Sequence, residues 1–465
     1  MGFKSTIVAA LLLAGLGTYI YFYEREPVKS PDDEEREKIF SVEDAKIQTI
    51  EIVKPDADPL KLVRESGSWR LTSPLEASAD GTEVDSLARS LASLERERVV
   101  AEAGANLADF GLDPPRLEVR FTVEGQNDPL GLLLGSKSPT GSNLYAKSPS
   151  QDKVFLIAAY LESSFDKKPW DFRDKAIFRF NRDEVEKVIL KQPEGEVVLA
   201  KVSEDLWNVT TPSFCRADRY KASGVVSRFE TGRIEEIVSE SPPTPAQLKE
   251  YGLASPQYEV ELQLKGGRAR KLLVGKEKDG RFYARNPARP LVYFIASSLV
   301  DDIKKPSADY RSKRLFDYYT YQAAKVEIAA AGAATRVLEK TKKDDQDQWT
   351  QTAPEKKELD RTTVEDLLYK LNGSDAEDFA ADRAENLKTY GLETPAYTIT
   401  VWSNEAKNVE ELTVGKPGGE WVYARRKGDE PVLKLKQSTW EEIEKLMALE
   451  PKKDEKKEEE KEEGK

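Results

Sequence analysis

A chain of 465 residues is longer than one hydrophobic core organises, and length alone points to about three domains. The absence of histidine excludes Ser-His-Asp and Cys-His catalysis, His-ligated zinc and a His proton shuttle, and the single cysteine, Cys215, excludes an intramolecular disulfide. A net charge of -12 argues against nucleic acid and against broad docking on anionic lipid, both of which reward a basic face.

Ser5 to Tyr23 carries no charge. As a helix it reaches roughly 28 Å, close to the hydrocarbon core of a bilayer. Tyr19, Tyr21, Phe22 and Tyr23 stand at its far end, where an interfacial aromatic belt belongs. The alternative is a cleaved signal peptide, but that end offers no small-residue cleavage site. Residues 1–23 are therefore expected to be one N-terminal transmembrane anchor. Arg25, Lys29, Arg36 and Lys38 follow it and only Lys4 precedes it, a count adverse to export. The very short N-terminal tail and the near-absence of cysteine favour an exported chain, so the placement expected is single-pass in the inner membrane, with the bulk periplasmic. Residues 24–38 are acidic, carry Pro27 and Pro31, and read as a flexible spacer.

From here the chain repeats itself. Trp69-Arg70-Leu71-Thr72-Ser73-Pro74 returns as Trp207-Asn208-Val209-Thr210-Thr211-Pro212 and as Trp349-Thr350-Gln351-Thr352-Ala353-Pro354, a W-x-x-T-x-P pattern. Three tandem repeats of about 140 residues follow, at 39–176, 177–314 and 315–449. Each opens on Ile39-Phe40, Ile177-Phe178 or Leu315-Phe316 and continues in alternating apolar positions such as Ile50 and Ile52, the period of a half-buried strand. The proline five residues after each Trp ends that ladder, because it has no N–H to donate.

Asp80, Asp218 and Asp360 stand at one offset from the three Trp residues. Each precedes an apolar stripe at helical spacing: Val84, Leu87, Leu91 and Leu94; Ala222, Val225, Val226 and Phe229; Val364, Leu367, Leu368 and Leu371. Three equivalent carboxylates have the chemistry of ligands, yet N-capping accounts for all three, with Glu83 completing a capping box in the first repeat. Next comes L-x-x-F/Y-G-L-x-x-P, with Gly111, Gly252 and Gly391 expected as left-handed caps of a short helix. Further strands lead through Gly135, Gly275 and Gly415 to Tyr145-Ala146-Lys147, Tyr283-Ala284-Arg285 and Tyr423-Ala424-Arg425, then to a closing strand and helix. No glycine belongs to a nucleotide-binding motif. Joints of the form D-F/Y-R-x-K, containing Arg173 and Arg311, link the repeats and are expected to set the angle between neighbours. Residues 450–465 are a Lys/Glu run expected to be a disordered tail.

Comparison of the three copies substitutes for an alignment. The shared positions are core, turn and cap types, with no repeated pair of carboxylates of the kind a glycosidase-like mechanism needs. Cys215 is expected to be a small buried hydrophobe. The one shared polar position with a binding role open to it is the cation Lys147, Arg285 and Arg425. It is either a row meeting an acidic partner or a strand residue pairing locally with a carboxylate. No residue is assigned to catalysis, to a cofactor or to a metal.

The tandem W-x-x-T-x-P and F/Y-G-L-x-x-P units, the aromatic-Arg-x-Lys joints and the N-terminal anchor resemble the bacterial family catalogued as domain of unknown function 4340. The resemblance covers residues 39 to about 447. It implies a membrane-anchored envelope protein encoded beside gliding-motility-type ABC transporter components, and no agreed catalytic residues. The expected fold is α+β, three repeats of antiparallel or mixed sheet with packed helices after one transmembrane helix. The expected function is a non-enzymatic scaffold with envelope protein partners, ABC transporter subunits among them, and no nucleic acid. The alternatives are a carboxylate-dependent enzyme on envelope polymer, or a carrier of small ligands or lipid, marked by a large apolar pocket in each unit.

Overall fold

The computed structural model describes residues 37–449 apart from 205, 344, 345 and 406. The expected anchor at 1–23, most of the spacer and the charged tail at 450–465 lie outside the described residues. Among the described residues no helix is long and apolar enough to cross a membrane. Glu37 and Lys38, read above as the end of the spacer, form a short strand against Arg96 and Glu95.

The first repeat contains β1 (Ile47–Lys54), β2 (Ala57–Glu65), β3 (Ser68–Ser73), β4 (Ala77–Ser78), α1 (Gly81–Ala92), β5 (Arg98–Ala101), β6 (Leu117–Val123), β7 (Leu130–Lys137), β8 (Asn143–Lys147) and β9 (Val154–Ala158). Its nine-stranded sheet runs in the order β4-β3-β2-β1-β6-β7-β8-β9-β5. Neighbouring strands pair antiparallel throughout, so the sheet is not mixed. The second and third repeats have the same nine-strand order.

α1 leaves the β4 edge and the chain returns at the opposite edge with β5, so the helix passes over one face of the sheet. Val84, Leu87 and Leu91 of its stripe join Ile50, Ile52, Leu62 and Trp69 in one core. Each such side chain contributes about 1.5–3 kcal/mol on full burial. The third repeat builds the corresponding core from Val364, Leu367, Leu368 and Leu371 against Val326, Ile328 and Trp349. The chain divides into two compact units after Lys175: the first holds repeat one, the second holds repeats two and three.

The three aspartates are N-caps. The Asp80 carboxylate accepts from the Thr82 N–H at 3.1 Å. That of Asp218 accepts from Tyr220 and Lys221 at 3.0 and 3.1 Å. Asp360 accepts from Thr363 at 3.2 Å. Glu83 does not complete a capping box: the Asp80 N–H it would accept donates to the Phe172 carbonyl at 2.8 Å, and the Glu83 carboxylate meets Lys167 Nζ at 2.5 Å. A capping box forms instead between Thr244 and Gln247, at the short helix Pro245–Glu250. Asp→Ala at each cap should cost about 0.5–2 kcal/mol in denaturant unfolding, most at Asp218 with its two acceptances, and Asp→Ser much less. Equal losses for Ala and Ser would refute capping.

Candidate functional site

Each repeat builds the same corner where β7 meets the F/Y-G-L turn. Gly111, Gly252 and Gly391 have φ of 66°, 73° and 67°, a region that costs a residue with a Cβ. The following leucine N–H donates back to the leucine four positions before the glycine, at 3.0, 2.7 and 2.9 Å for Leu112, Leu253 and Leu392. The second glycines, Gly135, Gly275 and Gly415, are there for a different reason. A Cβ on any of them would drive into the carbonyl oxygen of Phe110, Tyr251 or Tyr390. Those aromatic rings pack on the tyrosine of the next strand: Tyr251 stacks on Tyr283 at 4.6 Å, while Phe110 meets Tyr145 at 5.0 Å and Tyr390 meets Tyr423 at 5.2 Å edge to face. Two motifs distant in sequence are thus one packed unit.

The candidate cations come two residues after those tyrosines, and their cross-strand neighbours are Leu133, Leu273 and Thr413 rather than carboxylates. Lys147 is only 13% exposed, lies 3.7 Å from Asp152 and donates to the Gln151 carbonyl four residues on. Arg425 Nε donates to the Asp429 carbonyl, also four residues on, at 2.7 Å. In these two repeats the cation closes the turn that follows its own strand. Arg285 Nε is buried and has no hydrogen-bond partner among the described residues.

That turn is also where repeats two and three meet. Arg426 donates to the carbonyls of Arg314 and, at 2.9 Å, Ser312, and pairs with Asp429 at 2.6 Å. Asp429 accepts from the Arg216 backbone N–H at 3.2 Å, and Glu430 exchanges backbone and side-chain hydrogen bonds with Phe214 at 2.8 Å. The exposed edge of the second sheet, strand Cys215–Arg216, is thereby covered, which is how natural sheets protect an edge. Cys215 is fully buried there, and burial first, with Asp429 adding, pushes its thiol up to about 12. A thiol so held is inert.

The joint residues do the rest. The carbonyls of Phe172 and Tyr310 each accept the N–H of the N-cap aspartate in the repeat they close, both at 2.8 Å. The Arg311 side chain is 0% exposed; it gives Nη1 to Asp382 at 2.6 Å and Nη2 to Ser307 at 3.1 Å, with the Phe379 ring 5.4 Å away. Arg216 pairs with Glu410 at 2.7 Å and Arg219 with Asp317 at 2.6 Å, both reaching from the second repeat to the third. The Asp317 carboxylate, chiefly, and then Tyr319 raise the pKa of Arg219.

Sequence comparison missed a second set of equivalent cations. Arg64, Lys201 and Lys340 sit over the faces of Trp69, Trp207 and Trp349 at 4.6, 6.0 and 5.9 Å. Each is the cross-strand partner of its Trp. The hairpins between them differ in length, so the offset from Trp varies and no spacing motif appears. Register counted back from the turn would have found them.

Searches of curated proteins and of solved structures return no match. The family described as Domain of unknown function (DUF4340) matches residues 69–208, 207–385 and 349–449, segments that begin at Trp69, Trp207 and Trp349. These three matches span most of the described chain and follow its repeats, and the protein belongs to the domain of unknown function 4340 family.

Proposed function

We propose that this protein is a membrane-anchored binding and scaffolding component of a bacterial cell-envelope complex, auxiliary to an ABC-type transport system, with its repeats on the extracytoplasmic side. The observation that carries this is where the repeated residues are spent. Trp, Asp, Gly and Tyr recur at cores, caps and corners, and the charged residues at the joint hold repeats two and three together. That is the economy of a protein presenting surface, in which each unit supplies a wall and none holds a privileged centre. The row Lys147, Arg285 and Arg425 is the proposed contact for an acidic partner. Arg285 is its leading member, since Lys147 and Arg425 are engaged in their own turns.

The test is affinity purification of the tagged full chain from membranes, with mass spectrometry of what accompanies it. Transporter subunits are expected in the eluate. Arg285→Glu should lower their recovery modestly, and the triple reversal with Lys147→Glu and Arg425→Glu strongly, with the difference from the unaltered chain greatest at low salt and shrinking as salt is raised. Unchanged recovery with the triple variant removes the row; eluates free of transporter subunits reject the transport association. Protease added to spheroplasts should digest residues 39–449, and protection of that region would reject the extracytoplasmic placement.

A further inference from the structure

Repeats two and three meet where a turn of one lies on a strand edge of the other, and the chain carries further copies of both parts. The turn follows the Tyr-Ala-cation strand and has the same length in every repeat, from Lys147 to Val154, Arg285 to Val292 and Arg425 to Val432. It closes by the same backbone bond: Gln151 N–H to Ser148 at 3.0 Å, Arg289 to Asn286 at 2.9 Å and Asp429 to Arg426 at 3.2 Å. In the third repeat the next residue, Glu430, gives its N–H to the Phe214 carbonyl and takes the Phe214 N–H on its carboxylate, both at 2.8 Å. That residue is Pro290 in the second repeat, which has no N–H to give, and Asp152 in the first, which has both groups.

The Asp152 side chain is 88% exposed, 3.7 Å from Lys147, and its N–H has no partner among the described residues. The matching edge belongs to the third repeat. Lys357 and Glu358 pair with Gln351 and Thr350 as Cys215 and Arg216 pair with Val209 and Asn208, so Lys356 holds the place of Phe214. Lys356 is exposed, and its N–H and carbonyl are without partners among the described residues. Open edge groups of this kind invite another backbone. The charges also match. Glu430 is neutralised by Arg383 of its own repeat, with Nε at 3.1 Å. Counted from the edge strand, Ala103 holds that place in the first repeat, which leaves the Asp152 carboxylate for Lys356 to meet.

We infer that the Asp152 turn of one copy docks on the Lys356 edge of a second copy, joining chains head to tail. The Asp152 N–H donates to the Lys356 carbonyl, and the Asp152 carboxylate accepts the Lys356 N–H with the ammonium group beside it. Turn and edge are different patches, so each docked pair still offers one of each, and the contact propagates instead of closing as a two-fold dimer. Leu130 and Ser41 of the first repeat hold the places of Glu410 and Asp317, whose ion pairs with Arg216 and Arg219 tie repeats two and three together. The contact between copies lacks those ties and is correspondingly small and reversible. It is independent of the transport association proposed above.

The test uses two preparations of the full chain in detergent, one carrying Asp152→Cys and the other Lys356→Cys. Residues joined as Glu430 and Phe214 are lie within disulfide range, ~4.4–6.8 Å between Cα atoms, and the buried Cys215 thiol does not compete. Mild oxidation of the mixture is expected to give a disulfide-linked dimer of the two variants, in clear excess over dimer from either preparation alone. Absence of the mixed dimer overturns the inference. So does equal dimer in a single preparation, which marks a symmetric contact or chance collision. Sedimentation in detergent gives a second reading. The unaltered chain should associate as its concentration rises, and Asp152→Lys or Lys356→Glu should weaken that about tenfold, with the melting temperature unchanged because both side chains are exposed. Asp152→Lys combined with Lys356→Glu should return to within about threefold of the unaltered chain, since the charges have only changed places. A chain monomeric at every concentration, reversals without effect, or a combined variant as weak as the single ones overturns the inference.

Discussion

Trp349→Ala should cost about 3–5 kcal/mol, the usual loss for a large aromatic removed from a core. Trp349 is almost fully buried among Leu338, Leu367 and Leu371, where little can relax into the space. The conservative change is the more informative one. At Trp69 the indole N–H donates to Asp85 at 2.7 Å, and Arg64 holds the same carboxylate at 2.9 Å. At Trp349 the buried indole N–H has no partner among the described residues. Trp69→Phe therefore gives up a hydrogen bond to a charged acceptor, while Trp349→Phe removes an unsatisfied donor. The second should be milder by about 1–2 kcal/mol despite the deeper burial. Hydrogen-exchange mass spectrometry is the measurement, because it reports each repeat separately where a single melting curve blends them. Equal costs for the two phenylalanine variants would show that the N–H groups do not decide the matter.

Asp382→Ala should destabilise the pairing of repeats two and three by about 2–3 kcal/mol, far more than the ±0.5 kcal/mol usual for a surface carboxylate. The reason is on the other side of the pair. Asp382 is 68% exposed, but its partner Arg311 has no exposed side-chain surface. Removal of the carboxylate strands a buried cation that keeps only Ser307 and the Phe379 ring. Solvent screening at the exposed end keeps the loss below the ~3–5 kcal/mol of a fully buried pair. Arg311→Met in the Asp382→Ala background should recover most of it, because an apolar side chain of similar length needs no counter-charge. Exchange protection at Ser312 to Phe316 reads both variants. A double variant no more stable than Asp382→Ala alone would mean that the cation is not the source of the loss.

What the sequence by itself determined about this protein are the features that neighbours along the chain decide. Three units could be counted from W-x-x-T-x-P. The N-caps follow from an aspartate placed before an apolar stripe, and the left-handed turns at Gly111, Gly252 and Gly391 from a glycine between an aromatic and a leucine. Each depends on groups within a few residues, so the local pattern carries the physics. Glu83 marks the limit even there: the spacing of a capping box is present, but Phe172, from the far end of the repeat, takes the Asp80 N–H on its carbonyl, and Lys167 meets the carboxylate. Tertiary structure alone placed β1 beside β6, so that the helix crosses a single antiparallel sheet. It alone showed that Gly135, Gly275 and Gly415 are small because a distant carbonyl lies against them. It turned Lys147 and Arg425 toward their own turns, set Arg64, Lys201 and Lys340 over the tryptophans, and buried Arg311 against a carboxylate from the next repeat. A cation in a sequence has no direction; which acceptor it meets depends on segments brought together by the burial of apolar faces, and that is settled only when the sheets have formed.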